Sequence, residues 1–183
     1  MHDPGDPYSL PGNEVRCVYK DLNNNIWVGT NKGLALFNPE SENFIQFNSD
    51  GNLSHYIYDI KQLDGNKLWI AMEFGGIAIM DLSQRLFLLP EQTQFHYIRE
   101  GDDGYSLSNS STRCIFQDSF KNIWTGVWGG GINFLSYEPP LFGGYYYSPN
   151  QNSMSRLNNK TASSVCVDSQ GKLWIGTDGG GIN

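Results

Sequence analysis

The first apolar run of the chain alternates. Val15, Cys17 and Tyr19 fall on one side of an extended segment and Arg16 and Val18 on the other, which predicts a strand. Asp21 to Asn25 follows, rich in Asx side chains that bond nearby backbone and so favour a turn. Ile26-Trp27-Val28 predicts a second strand and Gly29 to Gly33 a second turn. Leu34 to Phe37 reads as a third strand closed by Asn38-Pro39, and Phe44 to Phe47 as a fourth. Four short strands joined by tight turns predict an antiparallel meander.

The same phrase then recurs. A second copy runs through Tyr58 to Ile60, a turn at Asp64-Gly65, Leu68 to Ile70 and Ile77 to Met80. Its outer strand is either Arg85 to Leu89 or Gln94 to Ile98, so this copy carries an insertion. The third copy has Thr112 to Phe116, Asn122 to Thr125 and Ile132 to Leu135, with Tyr145 to Tyr147 as its expected outer strand. The fourth has Ser164 to Val167 and Leu173 to Ile175 and is expected to be truncated. Trp27, Trp69, Trp124 and Trp174 mark the copies at steps of 42, 55 and 50 residues. Copies of one supersecondary unit at such a period form a repeat architecture rather than a single core. Four strands per unit is the content of one β-propeller blade. The fold expected is therefore all-β, an incomplete propeller of about three and a half blades. Its units run approximately over 9–50, 51–98, 105–150 and 158–183.

Phase within the copies has a physical reading. The step from turn Asp to Trp is six residues in three copies and five in the second. Trp can pack between neighbouring sheets while its N–H finds a partner. Gly29, Gly126 and Gly176, with Ala71 in the second copy, follow each Trp by two and let sheets approach closely. Gly33, Gly76, Gly131 and Gly181 supply turn dihedrals before each third strand. All of these read as scaffold. The Gly-rich turns at 75–76, 129–131 and 179–181 are not phosphate loops, because no helix and no Lys-Ser/Thr follows them.

Charge narrows the function classes. Lys and Arg number 12 against 19 Asp and Glu, giving a net charge of -7, and no basic stripe occurs. That opposes a nucleic-acid partner. No apolar run is long enough to span a bilayer. The start, HDPGDPYSLPG, is polar and Pro-rich, unlike a signal peptide. Cys17, Cys114 and Cys166 are odd in number and lack metal-ligand or redox spacing, so they read as buried free thiols. His55 reads as a polar loop residue, with no His or Cys at supporting spacing. Neither a metal nor any other cofactor is expected, and no catalytic constellation accompanies the repeat.

The phrase from Asp168 to Ile182, with Trp174-Ile175-Gly176-Thr177, resembles the two-component regulator propeller repeat. Asp21 to Leu34 resembles it nearly as well, and Tyr8-Ser9-Leu10 and Tyr105 to Asn109 are similar to the family's inter-blade linker. Departures are Ala71-Met72 in place of Gly-Thr and Thr125-Gly126-Val127 in the third copy. The resemblance covers nearly the whole chain. It implies the periplasmic sensor region of a hybrid two-component system histidine kinase, typical of gut Bacteroidetes. Full-length relatives carry two seven-bladed propellers, a β-sandwich, a membrane helix and cytoplasmic kinase parts, and they detect polysaccharide fragments. The expected role is thus non-catalytic sensing of a polysaccharide or oligosaccharide. Expected partners are the remaining propeller blades or another copy of this chain, since end sheets would otherwise leave apolar faces open.

Loops between second and third strands share a face with the inter-blade linkers, and a ligand is expected there. The loops offer Lys32, Glu73, Phe74, Trp128 and Asp178, and the linkers His55, Tyr56, Tyr105 and Arg156. Trp128 is an extra Trp outside the repeated position. Its flat ring suits the apolar face of a sugar, although capping a blade core or touching a neighbouring chain would use it equally well. Two alternatives stay open. A protein-interaction propeller without a small ligand would also use Phe74 and Trp128. A glycan-active enzyme needs two carboxylates flanking the bond, and Glu73 and Asp178 lie on non-adjacent copies. Asp21, Asp64, Asp118 and Asp168 recur with the repeat at the opposite edge, which favours turn chemistry.

Overall fold

The computed structural model describes residues 1–47, 53, 55–83, 90–101, 106–138, 146–147 and 156–183. They form two compact units, Met1–Glu138 and Pro139–Asn183.

In the first unit, β1 (Val15–Lys20), β2 (Ile26–Thr30), β3 (Gly33–Asn38) and β4 (Asn43–Phe47) make one sheet in chain order. A second sheet repeats this order with β5 (Ile57–Leu63), β6 (Lys67–Met72), β7 (Gly76–Asp81) and β8 (Phe95–Ile98). The third has β9 (Thr112–Gln117), β10 (Ile123–Val127) and β11 (Gly131–Leu135). Every pairing in these sheets is antiparallel. They are the expected blades of an incomplete propeller. The second strand runs past the Gly to Thr30 in blade 1 and to Val127 in blade 3, where the sequence pattern places a turn. The outer strand of blade 2 is 95–98, and the rival segment 85–89 lies outside the described residues.

In the second unit, β14 (Ala162–Val167), β15 (Leu173–Thr177) and β16 (Gly181–Ile182) repeat the inner strands. Tyr146–Tyr147 (β12) does not join the third blade as its outer strand. It pairs in parallel with β13 (Arg156–Leu157) within the second unit. Aromatic composition favours a strand but names no partner.

Alternation along each strand builds two cores in the first unit. Trp27, Leu34, Leu36 and Phe47 of blade 1 meet Ile57, Ile60, Leu68 and Ile70 of blade 2. The opposite face of blade 2, with Trp69, Ala71 and Ile77, meets Ile115 and Ile123 of blade 3. Close approach explains the glycine after the Trp: a Cβ on Gly29 would lie 2.6 Å from Cys17 Sγ and 2.7 Å from an Ile57 methyl. Gly76, Gly131 and Gly181 adopt φ of 76°, 78° and 82°, as their turns require.

Cysteine burial is a correction. Cys114 and Cys166 are exposed and Cys17 is half-buried, all three as free thiols. Burial pushes the Cys17 thiol up to about 11, with the Asp59 carboxylate adding to the effect. Burial of a β1 cysteine depends on the next sheet, which the repeat phase alone does not specify.

The repeated Asp and Trp prove to be one device. Asp21 Oδ1 accepts the N–H groups of Asn23 and Asn25 at 2.9 Å, closing the turn. Its Oδ2 accepts the Trp27 indole N–H at 2.9 Å. Asp118 treats Phe120, Asn122 and Trp124 in the same way, with an indole bond of 3.0 Å. Asp168 does so with Gln170, Lys172 and Trp174. A left-handed residue three positions after the Asp bends each turn: Asn24, Lys121 and Gly171 at φ 65°, 66° and 80°. Blade 2 lacks the device. Its turn is one residue shorter, Asp64 itself takes φ 50°, and the buried Trp69 indole N–H has no partner among the described residues.

Replacing Asp21 by Ala strips the buried Trp27 N–H and the turn amides of their acceptor. It should cost about 2–4 kcal/mol in urea unfolding, whereas Asp64→Asn should stay within about 0.5 kcal/mol. Equal losses would show that the Asp is only a turn former. Acid gives a second test. The Trp124 N–H foremost holds the Asp118 carboxyl below its ordinary range, and the Trp174 N–H does the same for Asp168. Both groups bind protons less readily in the folded chain than in the unfolded one. They therefore stabilise the fold above the ordinary aspartate range, and that stability is lost as pH falls through it. Between about pH 5 and about pH 3 the melting temperature should fall more in the wild type than in an Asp118→Asn/Asp168→Asn variant.

Candidate functional site

At the edge away from the Asp turns, one backbone bond recurs. The residue after each second strand donates to the carbonyl of the residue near the start of that blade's first strand. Asn31 donates to Glu14 at 3.0 Å, Glu73 to Tyr56 at 3.0 Å, Trp128 to Ser111 at 2.8 Å and Asp178 to Thr161 at 2.9 Å. This bond places each second-to-third-strand turn against the linker end of its own blade.

Two residues after each of those acceptors, the first strand is bulged. The register shifts between Val15 and Cys17, between Ile57 and Asp59, opposite Gly126/Val127, and between Ala162 and Ser164. The extra residues are Arg16, Tyr58, Arg113 and Ser163. A bulge re-aims a side chain. In the first unit the three re-aimed side chains stack in a row. The Arg16 guanidinium lies 5.8 Å from the Tyr58 ring centroid and 5.4 Å from that of Tyr56. The Arg113 guanidinium lies 3.8 Å from the Tyr58 centroid and 5.1 Å from that of Trp128. The Tyr56 and Tyr58 rings are stacked at 6.2 Å. Arg113 Nη2 donates to Glu73 Oε1 at 2.7 Å, and Arg16 pairs with Glu14. Arg113 Nε is buried and has no hydrogen-bond partner among the described residues.

Outside this row stand two aromatic rings. Trp128 is 69% exposed and Phe74 72% exposed. Phe74 is turned outward by a left-handed backbone (φ 58°) and its N–H donates to Ser111 Oγ at 3.3 Å. Together the groups make an open aromatic shelf over a guanidinium–carboxylate pair. Such a surface can stack on a flat apolar face and exchange hydrogen bonds with polar substituents. The described residues include no group of three or more His, Cys, Asp or Glu placed to hold a metal.

Of the residues singled out from sequence, Glu73, Phe74 and Trp128 come together. Lys32 is exposed on the corresponding turn of blade 1, its N–H bonded to Thr30 Oγ1 at 3.1 Å. His55 is half-buried beside Tyr56. Asp178 and Arg156 belong to the second unit, Asp178 exposed on its turn and Arg156 at the start of β13. Tyr105 lies outside the described residues. Arg16, Tyr58 and Arg113 were not among those candidates. The recurring Arg-Cys pair at one phase of copies one and three is the sequence signal that could have exposed two of them.

Residues 9–32 and 156–179 match the family described as Two component regulator propeller. No match is found among curated proteins. Among solved structures, the extracellular domain of the hybrid two component system BT3049 from B. thetaiotaomicron is 59% identical, with a TM-score of 0.63. The match covers 96% of this chain and 21% of that one. The extracellular domain of BT4673 from the same organism is 20% identical with a TM-score of 0.60, over 97% of this chain and 23% of that one. PorZ of Porphyromonas gingivalis shares the fold at 16% identity and a TM-score of 0.50, over 92% of this chain and 25% of that one. The chain thus spans about a fifth of the length of the first of these proteins. With its Asp-to-Trp phrase repeated through four sheets, the chain carries the two-component regulator propeller repeat at residues 9–32 and 156–179 and over nearly its whole length resembles the extracellular domain of a hybrid two component system from B. thetaiotaomicron.

Proposed function

We propose that this chain is a non-catalytic, ligand-recognising segment of a periplasmic sensor, that its ligand is an oligosaccharide, and that occupancy is relayed to a histidine kinase. The observation that carries the ligand class is Trp128. Its ring is exposed, yet Arg113 backs it at 5.1 Å and Arg113 is in turn held by Glu73 and Tyr58. A fixed, solvent-facing ring beside hydrogen-bonding groups is what a sugar face needs. The 59% identity to an extracellular domain of a hybrid two-component system supports the sensor setting. Glu73 is committed to Arg113, which speaks against its serving as one of a pair of hydrolytic carboxylates. Trp128→Ala should weaken oligosaccharide binding by about tenfold or more in calorimetry while leaving the melting temperature nearly unchanged. Full binding by a folded Trp128→Ala protein would sink the reading.

We also infer that the first sheet is completed by another blade of the same kind, from the rest of the propeller or from a second copy. Val18, Ile60 and Ile115 hold equivalent register positions on the first strands of blades 1, 2 and 3. Ile60 and Ile115 are 1% and 2% exposed under the preceding blade, whereas Val18 is 64% exposed. Light scattering on this chain should therefore give a discrete oligomer that Val18→Glu shifts toward monomer. A wild-type monomer would exclude a second copy as that blade.

A further inference from the structure

We infer that the ligand of the bulge row carries an anionic group, a carboxylate or a sulfate, which Arg113 receives with Arg16 in support. This rests on the oligosaccharide reading above and narrows it.

The reason is an excess of fixed, oriented donors. A guanidinium offers five N–H groups in a planar fork that matches a carboxylate or sulfate edge. Among the described residues Arg113 gives one such bond, from Nη2 to Glu73. The rest of its fixation comes from the rings of Tyr58 and Trp128, which hold the plane without consuming donors. Arg16, one blade earlier, lies 5.8 Å from the same Tyr58 ring. In a chain of net charge -7, two guanidinium groups thus converge through one tyrosine ring. Lys32 adds a further exposed cation on the equivalent turn of blade 1. The opposing carboxylates are Glu14 and Glu73. Glu73 binds Arg113 through one oxygen at 2.7 Å, a single contact where a forked pair was available. An anion on a sugar stacked against Trp128 can share or take over that guanidinium. Glu73 is then a competitor of the ligand and not one of its anchors.

The test uses this whole chain and matched pairs of oligosaccharides. Each pair is an acidic oligosaccharide and its carboxyl-reduced or desulfated counterpart, with binding followed by calorimetry at low and high salt. The acidic member should bind at least about tenfold tighter, with an advantage that shrinks as salt rises. Whether carboxyl reduction or desulfation abolishes it identifies the group. Arg113→Gln should erase the preference, with Arg113→Lys retaining part of it. Glu73→Gln should strengthen binding of the acidic member relative to its neutral counterpart, a response that a merely structural role would not produce. The Glu73→Gln result and the matched-pair comparison remain decisive if Arg113→Gln fails to fold. Equal binding of both members, or weaker acidic binding by Glu73→Gln, overturns the inference while leaving oligosaccharide recognition standing. If neither member of any pair binds, the oligosaccharide reading itself falls and takes this inference with it.

Discussion

In three of the four repeats one carboxylate holds two things at once: a tight turn and the indole of the repeated Trp. A Trp ring buries a large apolar area, but its N–H must be paired for that burial to be favourable. Asp21 meets this need for a fully buried Trp27 through the oxygen its turn amides leave free. The distance from turn to Trp cannot then vary without orphaning the indole. Blade 2 shows the consequence: its turn is shorter by one residue and the Trp69 N–H is left unpaired among the described residues. That blade is instead covered on both faces, by Ile57, Ile60 and Ile70 toward blade 1 and by Ala71 and Ile77 toward blade 3.

Anchoring one edge in this way leaves the other edge available for variation. There the common element is a backbone bond from turn to linker, which is indifferent to side chain. The four residues that make it are Asn31, Glu73, Trp128 and Asp178. The bulge positions are equally varied, with Arg16, Tyr58, Arg113 and Ser163. A uniform frame with side chains that differ from blade to blade is a natural basis for recognition. In the first unit those differences assemble one row in which cation and aromatic ring alternate.

Sequence periodicity made most of the strands legible, because alternation and Asx-rich turns are local signals. The five-residue step in copy two was legible as well, but its cost was not: losing the indole partner appears only when the Asp is seen to serve both turn and Trp. Glu73, Phe74 and Trp128 were readable as turn residues on one face. Arg113 was hidden because a bulge leaves the surrounding alternation of Thr112, Cys114 and Phe116 looking like ordinary strand. Cys114 looked like a core residue for the same reason. Tyr146 and Tyr147 carry strong strand propensity, yet pairing is a tertiary choice, and Arg156–Leu157 won it.

The central claim is that the Asp-bonded indoles are scaffold and the extra one is the recognition surface. Indole N–H resonances of the five Trp residues, recorded while a set of neutral and acidic oligosaccharides is titrated, separate these roles directly. The account predicts that a bound oligosaccharide moves the Trp128 resonance and leaves those of Trp27, Trp124 and Trp174 in place. Binding that shifts the Asp-bonded indoles and not Trp128 would contradict it.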